Sequence, residues 1–304
     1  MDYYHYSVEL PFSKKVINFR EFTTEEQLAL GKAQHSFSGD TKTHYLFIYD
    51  IISKCVSDSS VFEDLDIIEY ILFLIKIRII SVGPKIELTA AVEGKNAKIT
   101  LDLNILLQNI YNSVEPVVKD FNIFENNQLV LGFPKVLNML EFISIATDME
   151  SVLDTIPLFI HKAGSATTYK DMKAVYNKLP VSMSNQIQSK IFDILKILAE
   201  KEIFGVEIFQ NFKLLFYNNS LFDLIKLLCS YDVKSIHQEI YLLAQLTPNY
   251  VKSLTPSERK IYISFLLQER ESRNKEEPRL PEGRNINPVD ALAAEFGQEP
   301  LQSE

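Results

Sequence analysis

The chain has 304 residues, of which 46% are hydrophobic and 11% aromatic, and its formal net charge is −9. The hydrophobic share is that of ordinary globular proteins, so the chain can build the core of one large domain or of two modest ones. The acidic balance argues against nucleic acid as the main ligand, because phosphate backbones repel an acidic protein. Two distant cysteines, Cys55 and Cys229, fit neither a disulfide framework nor a metal clip. Their spacing favours a reducing, cytoplasmic setting.

The first third of the chain mixes strand and helix patterns. The alternation in HYSVELP (5–11) and KKVINFREF (14–22) predicts a hairpin. Two residue pairs fit a capping box for the helix that follows, Thr23 with Glu26 or Thr24 with Gln27. Further helices are predicted at about 41–56 and 64–80.

The most apolar run is IIEYILFLIKIRIISV (67–82), which is almost long enough to span a membrane. It contains Glu69, Lys76 and Arg78, and charged residues are costly at the centre of a bilayer. We therefore expect a buried core helix and no membrane contact. The N-terminal stretch MDYYHYSVEL also lacks the basic and apolar regions of a signal peptide.

Two more strand pairs are expected before residue 147. KIELTAAVEG and KNAKITLDLN alternate around Gly94, and VVKDFNIF and NQLVLGF alternate across residues 125–127. The fold class is therefore α+β, with a mixed strand and helix domain over residues 1–147.

From residue 148 the apolar residues recur every three to four positions. This period predicts an all-helical domain over residues 148–274. Its segments are MESVLDTIPLFIHKA, NQIQSKIFDILKILAEKEIF, NSLFDLIKLLC and SIHQEIYLLAQL.

The last helix of this domain has a well-formed start in LTPSERKIY (254–262). Thr255 is suited to the N-cap, Pro256 to the first helical position, and Glu258 to the reciprocal side of a capping box. The cap contributes on the order of 1 kcal/mol and is structural. Beyond it, Ile261, Phe265 and either Leu266 or Leu267 are expected to face a neighbour.

Residues 275–304 are rich in Pro, Glu, Asn and Gly, and we expect a disordered tail because they cannot bury enough apolar surface. Within the tail, Val289, Leu292 and Phe296 follow helical spacing. Two interpretations stay open. These residues are either scattered hydrophobes or a short motif that folds into a partner's groove.

No signature of catalysis is present in the sequence. The motifs GxGxxG, GxxxxGK[ST], GxSxG and HExxH are all absent. The histidines are scattered, and none has a cysteine or carboxylate at metal-ligand spacing. We therefore predict a protein that is not an enzyme and has no cofactor and no metal.

Two parts of the chain resemble known phage proteins. YSVELPFSKKVINFREFTTEEQLAL, DLDIIEYILFLIKIRIISVGPKIEL and ITLDLN resemble the baseplate hub proteins of T-even-like contractile-tailed phages. YLLAQLTPNYVKSLTPSERKIYISFLLQERESRN resembles small tail-assembly chaperones, in which a "TPxERxIY" helix start recurs. Together these stretches cover most of residues 5–103 and about 240–274. They are similar to a hub subunit joined to a hub assembly catalyst.

One segment departs from the hub family. Its members often carry a cysteine pair after "SVG", which implies a metal knuckle in some of them, whereas this chain reads LTAAVEGKNAKI there. No metal is therefore expected at this position.

The resemblance implies an assembly factor for the baseplate hub. Such a protein is expected to act as a chaperone that holds the tape-measure protein or hub components in the host cytoplasm. The alternative is a permanent structural subunit of the hub, present in the virion. Homo-oligomerisation is left open.

Overall fold

The computed structural model describes residues 6–11, 13–37, 40–92, 95–121, 129–145, 152–163, 166, 168–200, 204–209, 212–215, 220–243 and 246–276. The chain divides into two compact units, residues 1–260 and 261–304. The predicted division at residues 147 and 274 stays a prediction. The predicted tail motif, Val289, Leu292 and Phe296, lies outside the described residues.

The described part of the chain is mostly helical, with short strand pairs. Its helices are α1 Thr24–Ser36, α2 Thr41–Ser53, α3 Ser59–Glu63, α4 Ile67–Ser81, α5 Leu103–Phe121, α6 Val136–Ile145, α7 Tyr169–Tyr176, α8 Val181–Glu200, α9 Ser220–Leu228, α10 Val233–Leu242, α11 Pro248–Ser253 and α12 Pro256–Glu276. Its strands are β1 Tyr6–Glu9, β2 Val16–Phe19, β3 Lys85–Val92, β4 Lys95–Asp102, β5 Leu129–Leu131, β6 Ile160–Ala163, β7 Gly205–Phe209 and β8 Phe212–Leu215. The predicted α+β class is confirmed.

The core of the first unit is built around α4. Twelve of its 15 residues are buried, and it contacts both α5 and α9. A helix that is apolar on every side is stable only when other elements surround it. The Asp66 side chain caps its start by accepting a hydrogen bond from the Glu69 N–H at 2.8 Å. Gly83, with a φ of 130°, follows its end in a conformation that favours glycine.

The strands form four separate antiparallel pairs among the described residues. Two of them are the predicted hairpins. β1 pairs with β2 so that Tyr6 lies opposite Phe19, and β3 pairs with β4 so that Lys85 lies opposite Asp102. The other two pairs differ from prediction.

The predicted pairing of VVKDFNIF with NQLVLGF is wrong. VVKDF belongs to α5, where Leu103, Leu106, Leu107 and Ile110 are buried at helical spacing. β5 instead pairs with β6, Leu129 opposite Ala163. The local alternation in VVKDF is too short to outweigh a helix that starts fourteen residues earlier, at Leu103.

The region predicted to be all-helical also contains strands. Within MESVLDTIPLFIHKA, the described residues form a 3-10 helix, Val152–Phe159, and then β6, because Pro157 cannot donate a hydrogen bond within a regular α-helix. GVEIF and FKLL form the hairpin β7–β8, with Gly205 opposite Leu215. Apolar residues alternate in both segments, which is typical of strands. The sequence prediction missed this alternation because a long helical pattern precedes it.

Candidate functional site

The start of α12 carries the densest set of sequence-predicted residues in the described part of the chain. The Thr255 N–H donates to Glu258 Oε2 at 2.7 Å, and the Glu258 N–H donates to Thr255 Oγ1 at 3.3 Å. Pro256 is the first residue of the helix. These bonds satisfy two of the backbone donors that a helix start leaves open.

The same segment is bound to the first helix of the chain. The Thr24 N–H and hydroxyl both donate to the Leu254 carbonyl at 2.8 Å. The Ser257 N–H donates to Glu21 Oε2 at 3.3 Å, and Tyr6 donates to the other oxygen of that carboxylate at 3.0 Å. The segment 254–257 is therefore fixed against residues some 230 positions earlier.

Arg259 completes this attachment. Its side chain is only 3% exposed. Its Nε donates to Glu239 Oε2 at 2.8 Å, its Nη1 to Thr24 Oγ1 at 2.6 Å, and its Nη2 to Gln27 Oε1 at 2.8 Å. We call these four residues the Arg259 network. It joins α12, α10 and α1 through one planar guanidinium, whose fork of donors suits several acceptors at once.

Thr24 and Gln27 of this network are also one of the two residue pairs that fit a capping box in the sequence. The capping box of α1 uses the first pair, since Thr23 and Glu26 exchange hydrogen bonds of 2.8 and 3.3 Å. The second pair, Thr24 and Gln27, receives Arg259 instead. The α1 start therefore serves both as a cap and as a binding site for another helix.

Sequence reasoning missed Arg259. A signal for it exists, because Arg259 lies in the first turn of α12, where the helix dipole disfavours a positive charge. A positively charged side chain at that position indicates a hydrogen-bond or ion-pair partner whose interaction is stronger than the unfavourable effect of the helix dipole. The partner itself could not be found from spacing, because Glu239 and Thr24 belong to other helices.

Beyond Lys260, α12 presents apolar side chains to solvent. Ile261 is 53% exposed and Phe265 is 60% exposed. They lie four residues apart and therefore on one face of the helix. Leu267, 50% exposed, lies on a different face. Exposed side chains of this size, placed one turn apart, can bind another apolar surface.

A second polar cluster surrounds the start of α4. Asp64 pairs with Lys15 at 3.0 Å and also with Lys135, and Glu69 accepts a hydrogen bond from the Ser13 N–H at 2.8 Å. Burial and then the nearby Glu69 carboxylate raise the pKa of Asp66 well above its usual range. Each of these carboxylates already serves a helix cap, a turn or an ion pair, which is a structural use.

Neither the cysteines nor a set of metal ligands forms a reactive site among the described residues. Cys55 and Cys229 are buried free thiols, and burial raises the pKa of Cys229 to about 12. Within the described ranges, no three His, Cys, Asp or Glu side chains are placed to hold a metal ion. In the same ranges no helix has both the length and the apolar character needed to cross a membrane.

The buried carboxylates and the Arg259 network described above thus act as caps and as links between helices, and the exposed apolar groups suit contacts with other proteins. This arrangement is that of a structural or binding protein. The model of the family described as T4 bacteriophage base plate protein matches residues 1–202 of the 304. The chain therefore belongs to that family. No curated protein and no solved structure matches it.

Membership in this family establishes the general role, the partners and the location of the protein. It is a phage baseplate protein with a structural or assembly role, and its partners are other phage baseplate proteins. Its place is the virion, or baseplate assembly in the host cytoplasm. The matched range ends before Glu239 and Arg259, so the C-terminal half of the Arg259 network and the exposed face of α12 lie outside it.

Proposed function

We propose that this baseplate protein is an assembly factor of the baseplate hub, a chaperone that holds the tape-measure protein or a hub component before polymerisation. The proposal rests on the family and on the resemblance of residues 241–274 to tail-assembly chaperones. The observation that carries it is the exposed pair Ile261 and Phe265, one turn apart on α12.

The chemistry of the tape-measure protein suits this pair. Such a protein is a long helical polypeptide with apolar stripes, and these stripes aggregate when they are left uncovered. A short apolar face on an acidic protein can cover part of a stripe while the net charge of −9 keeps the complex dispersed.

The size of the contact supports reversible binding. Full burial of an Ile or Phe side chain contributes about 1.5 to 3 kcal/mol, and both side chains are already about half covered. Burying the remainder of both would contribute about 2 to 3 kcal/mol, or about 30- to 150-fold in affinity. A contribution of this size helps to hold a partner and still allows its release.

Co-expression with the tape-measure protein tests the proposal. We expect the tape-measure protein to become more soluble and to co-elute with this chain in gel filtration. The double variant Ile261→Asp/Phe265→Asp should abolish co-elution. Ile261→Asp and Phe265→Asp should each also weaken co-elution, and Leu267→Asp is their matched control, since it places one such charge on another face of the same helix. A tape-measure protein that stays insoluble, or equal loss with the control, would contradict the proposal.

The second candidate is a permanent structural subunit of the hub, with which membership in a baseplate family is equally consistent. Mass spectrometry of purified virions separates the two candidates. A chaperone is absent from the finished particle, whereas a subunit is present at a fixed copy number.

The tail motif enters the proposal as a second contact. Val289, Leu292 and Phe296 would engage another component of the assembly. Removal of residues 277–304, which leaves α12 whole, tests this contact. If capture of the partner is unchanged by the truncation, these residues are scattered hydrophobes.

A further inference from the structure

A cleft of about 470 Å³ opens beside the N-terminal hairpin. It is lined by Ser7, Val8, Glu9, Pro11, Lys14, Lys76 and Tyr111. Three elements meet there, namely the hairpin, α4 through Lys76 and α5 through Tyr111. Its volume lies in the range of pockets that bind ligands.

One wall of the cleft is an open edge of a β-strand. In an antiparallel pair, residues alternate between those bonded to the partner strand and those that point away from it. The Leu10 N–H donates to the Lys15 carbonyl at 2.9 Å, which places Leu10 in a bonded pair. The alternation then turns the backbone groups of Ser7 and Glu9 away from β2 and towards the outer edge.

The two edges of the hairpin differ. On the outer edge of β2, the Ser57 N–H donates to the Asn18 carbonyl and the Arg20 N–H donates to the Cys55 carbonyl, each at 2.9 Å. On the outer edge of β1, the described residues supply only the Tyr111 hydroxyl, which donates to the Glu9 carbonyl at 3.2 Å. The β1 edge therefore keeps backbone donors and acceptors that an added strand could use.

The charges of the cleft indicate what kind of strand fits. Lys14 and Lys76 form no ion pair with any described residue, whereas Glu9 is the one acidic group among the lining residues. The local balance is positive in a protein whose net charge is −9. Two ammonium groups that have no ion-pair partner among the described residues, placed beside an open edge, complement carboxylates.

The backbone of Lys14 adds an independent observation. Its φ of 54° is in the left-handed region, which costs a residue with a side chain roughly 1 to 2 kcal/mol and costs glycine little. A turn selected only for its shape would favour glycine there.

We propose that the β1 edge and this cleft bind an extended acidic segment of a partner protein, which adds a strand to β1 and places its carboxylates near Lys14 and Lys76. The four residues of β1 span about 13 Å, so a short segment suffices. This surface shares no residue with the pair Ile261 and Phe265, so the inference stands or falls independently of the proposed chaperone function.

The test is a titration of the ¹⁵N-labelled full chain with a short synthetic peptide of alternating threonine and glutamate. We expect saturable shifts of the Ser7 and Glu9 amide resonances at millimolar peptide. A threonine–glutamine peptide should bind about five-fold more weakly, since each exposed ion pair contributes little. A threonine–lysine peptide and a backbone N-methylated threonine–glutamate peptide should not bind.

Two variants of this chain separate binding from folding. Lys14→Gly removes one of the two charges and relieves the left-handed strain, so it should weaken binding about two-fold while the melting temperature stays the same or rises. Lys76→Gln should weaken binding to a similar degree, and Lys32→Gln, an exposed lysine on α1, should not. Absence of saturable shifts, unchanged affinity in Lys14→Gly and Lys76→Gln, or shifts that depend on the concentration of the protein alone would each overturn the proposal. The last result would mean that a second copy occupies the edge.

Discussion

Replacing Arg259 with methionine keeps most of the buried stem and removes the guanidinium that joins α12 to α1 and α10. The change leaves Gln27 Oε1 buried without its donor, since Gln27 is only 1% exposed. It also frees the Glu239 carboxylate, whose side chain is 29% exposed and can return to water. Thr24 is affected least, because its hydroxyl still donates to the Leu254 carbonyl.

The magnitude follows from these three losses. An unsatisfied buried acceptor costs about 1 to 3 kcal/mol. The charged bond to Glu239 adds about 1 kcal/mol once its exposure is taken into account. We expect Arg259→Met to lower the free energy of unfolding by about 3 kcal/mol, which for a unit of this size lowers the melting temperature by about 6 to 12 °C.

Circular dichroism during heating and in urea is the appropriate assay, because the chain contains no tryptophan. Lys260→Met is the matched control, since it is the next residue of the same helix and is exposed, and it should change stability by at most about 0.5 kcal/mol. Arg259→Lys should fall between the two, because an ammonium lacks the planar fork. A loss below about 1 kcal/mol in Arg259→Met, or an equal loss in the control, would refute the structural role assigned to the network.

Three further outcomes are expected. The folded protein holds a proton on Asp66 at pH values where the unfolded chain has released it, so the free energy of unfolding should fall as pH rises above about 4. Asp66→Asn keeps the cap and should make this fall, measured by melting temperature, smaller. Gly31→Ala should destabilise the protein despite the better helix propensity of alanine, because its Cβ would lie 2.6 Å from Val233 Cγ2 and 3.1 Å from the Tyr231 carbonyl oxygen. Val233→Ala should recover part of the lost stability, measured by urea unfolding. Lys14→Gly alone should raise the melting temperature or leave it unchanged, and a clear decrease would show that the turn depends on the lysine side chain.

The elements that sequence predicted well are those with strong local signals. The capping box at Thr23, the apolar run of α4 and the break at Gly83 each depend on residues within one or two turns of one another. The hairpins β1–β2 and β3–β4 join neighbouring segments. Propensity, spacing and turn chemistry decide such features before tertiary contacts form.

The pairings that sequence missed join distant segments. β5 pairs with β6 across some thirty residues, and no local pattern selects that partner. The Arg259 network was missed for the same reason, since Arg259 contacts Thr24 at a separation of 235 residues. Of the candidate site, the cap and the spacing of Ile261 and Phe265 follow from local pattern, whereas the network that fixes the helix start requires the fold.

The Arg259 network joins residues that are far apart in sequence, and this separation affects how the protein folds and which fragments of it can be expressed. Thr24 and Gln27 are synthesised early, whereas the Arg259 guanidinium that binds them emerges only after nearly the whole first unit has been translated. The α1 helix therefore lacks Arg259 through most of synthesis. Arg78 depends in the same way on the late carbonyls of Leu228 and Ser230. A fragment cut at residue 202, where the family match ends, would lose both sets of partners. The boundary of the shared sequence is therefore not a boundary of autonomous folding, and expression should extend at least through the first turns of α12.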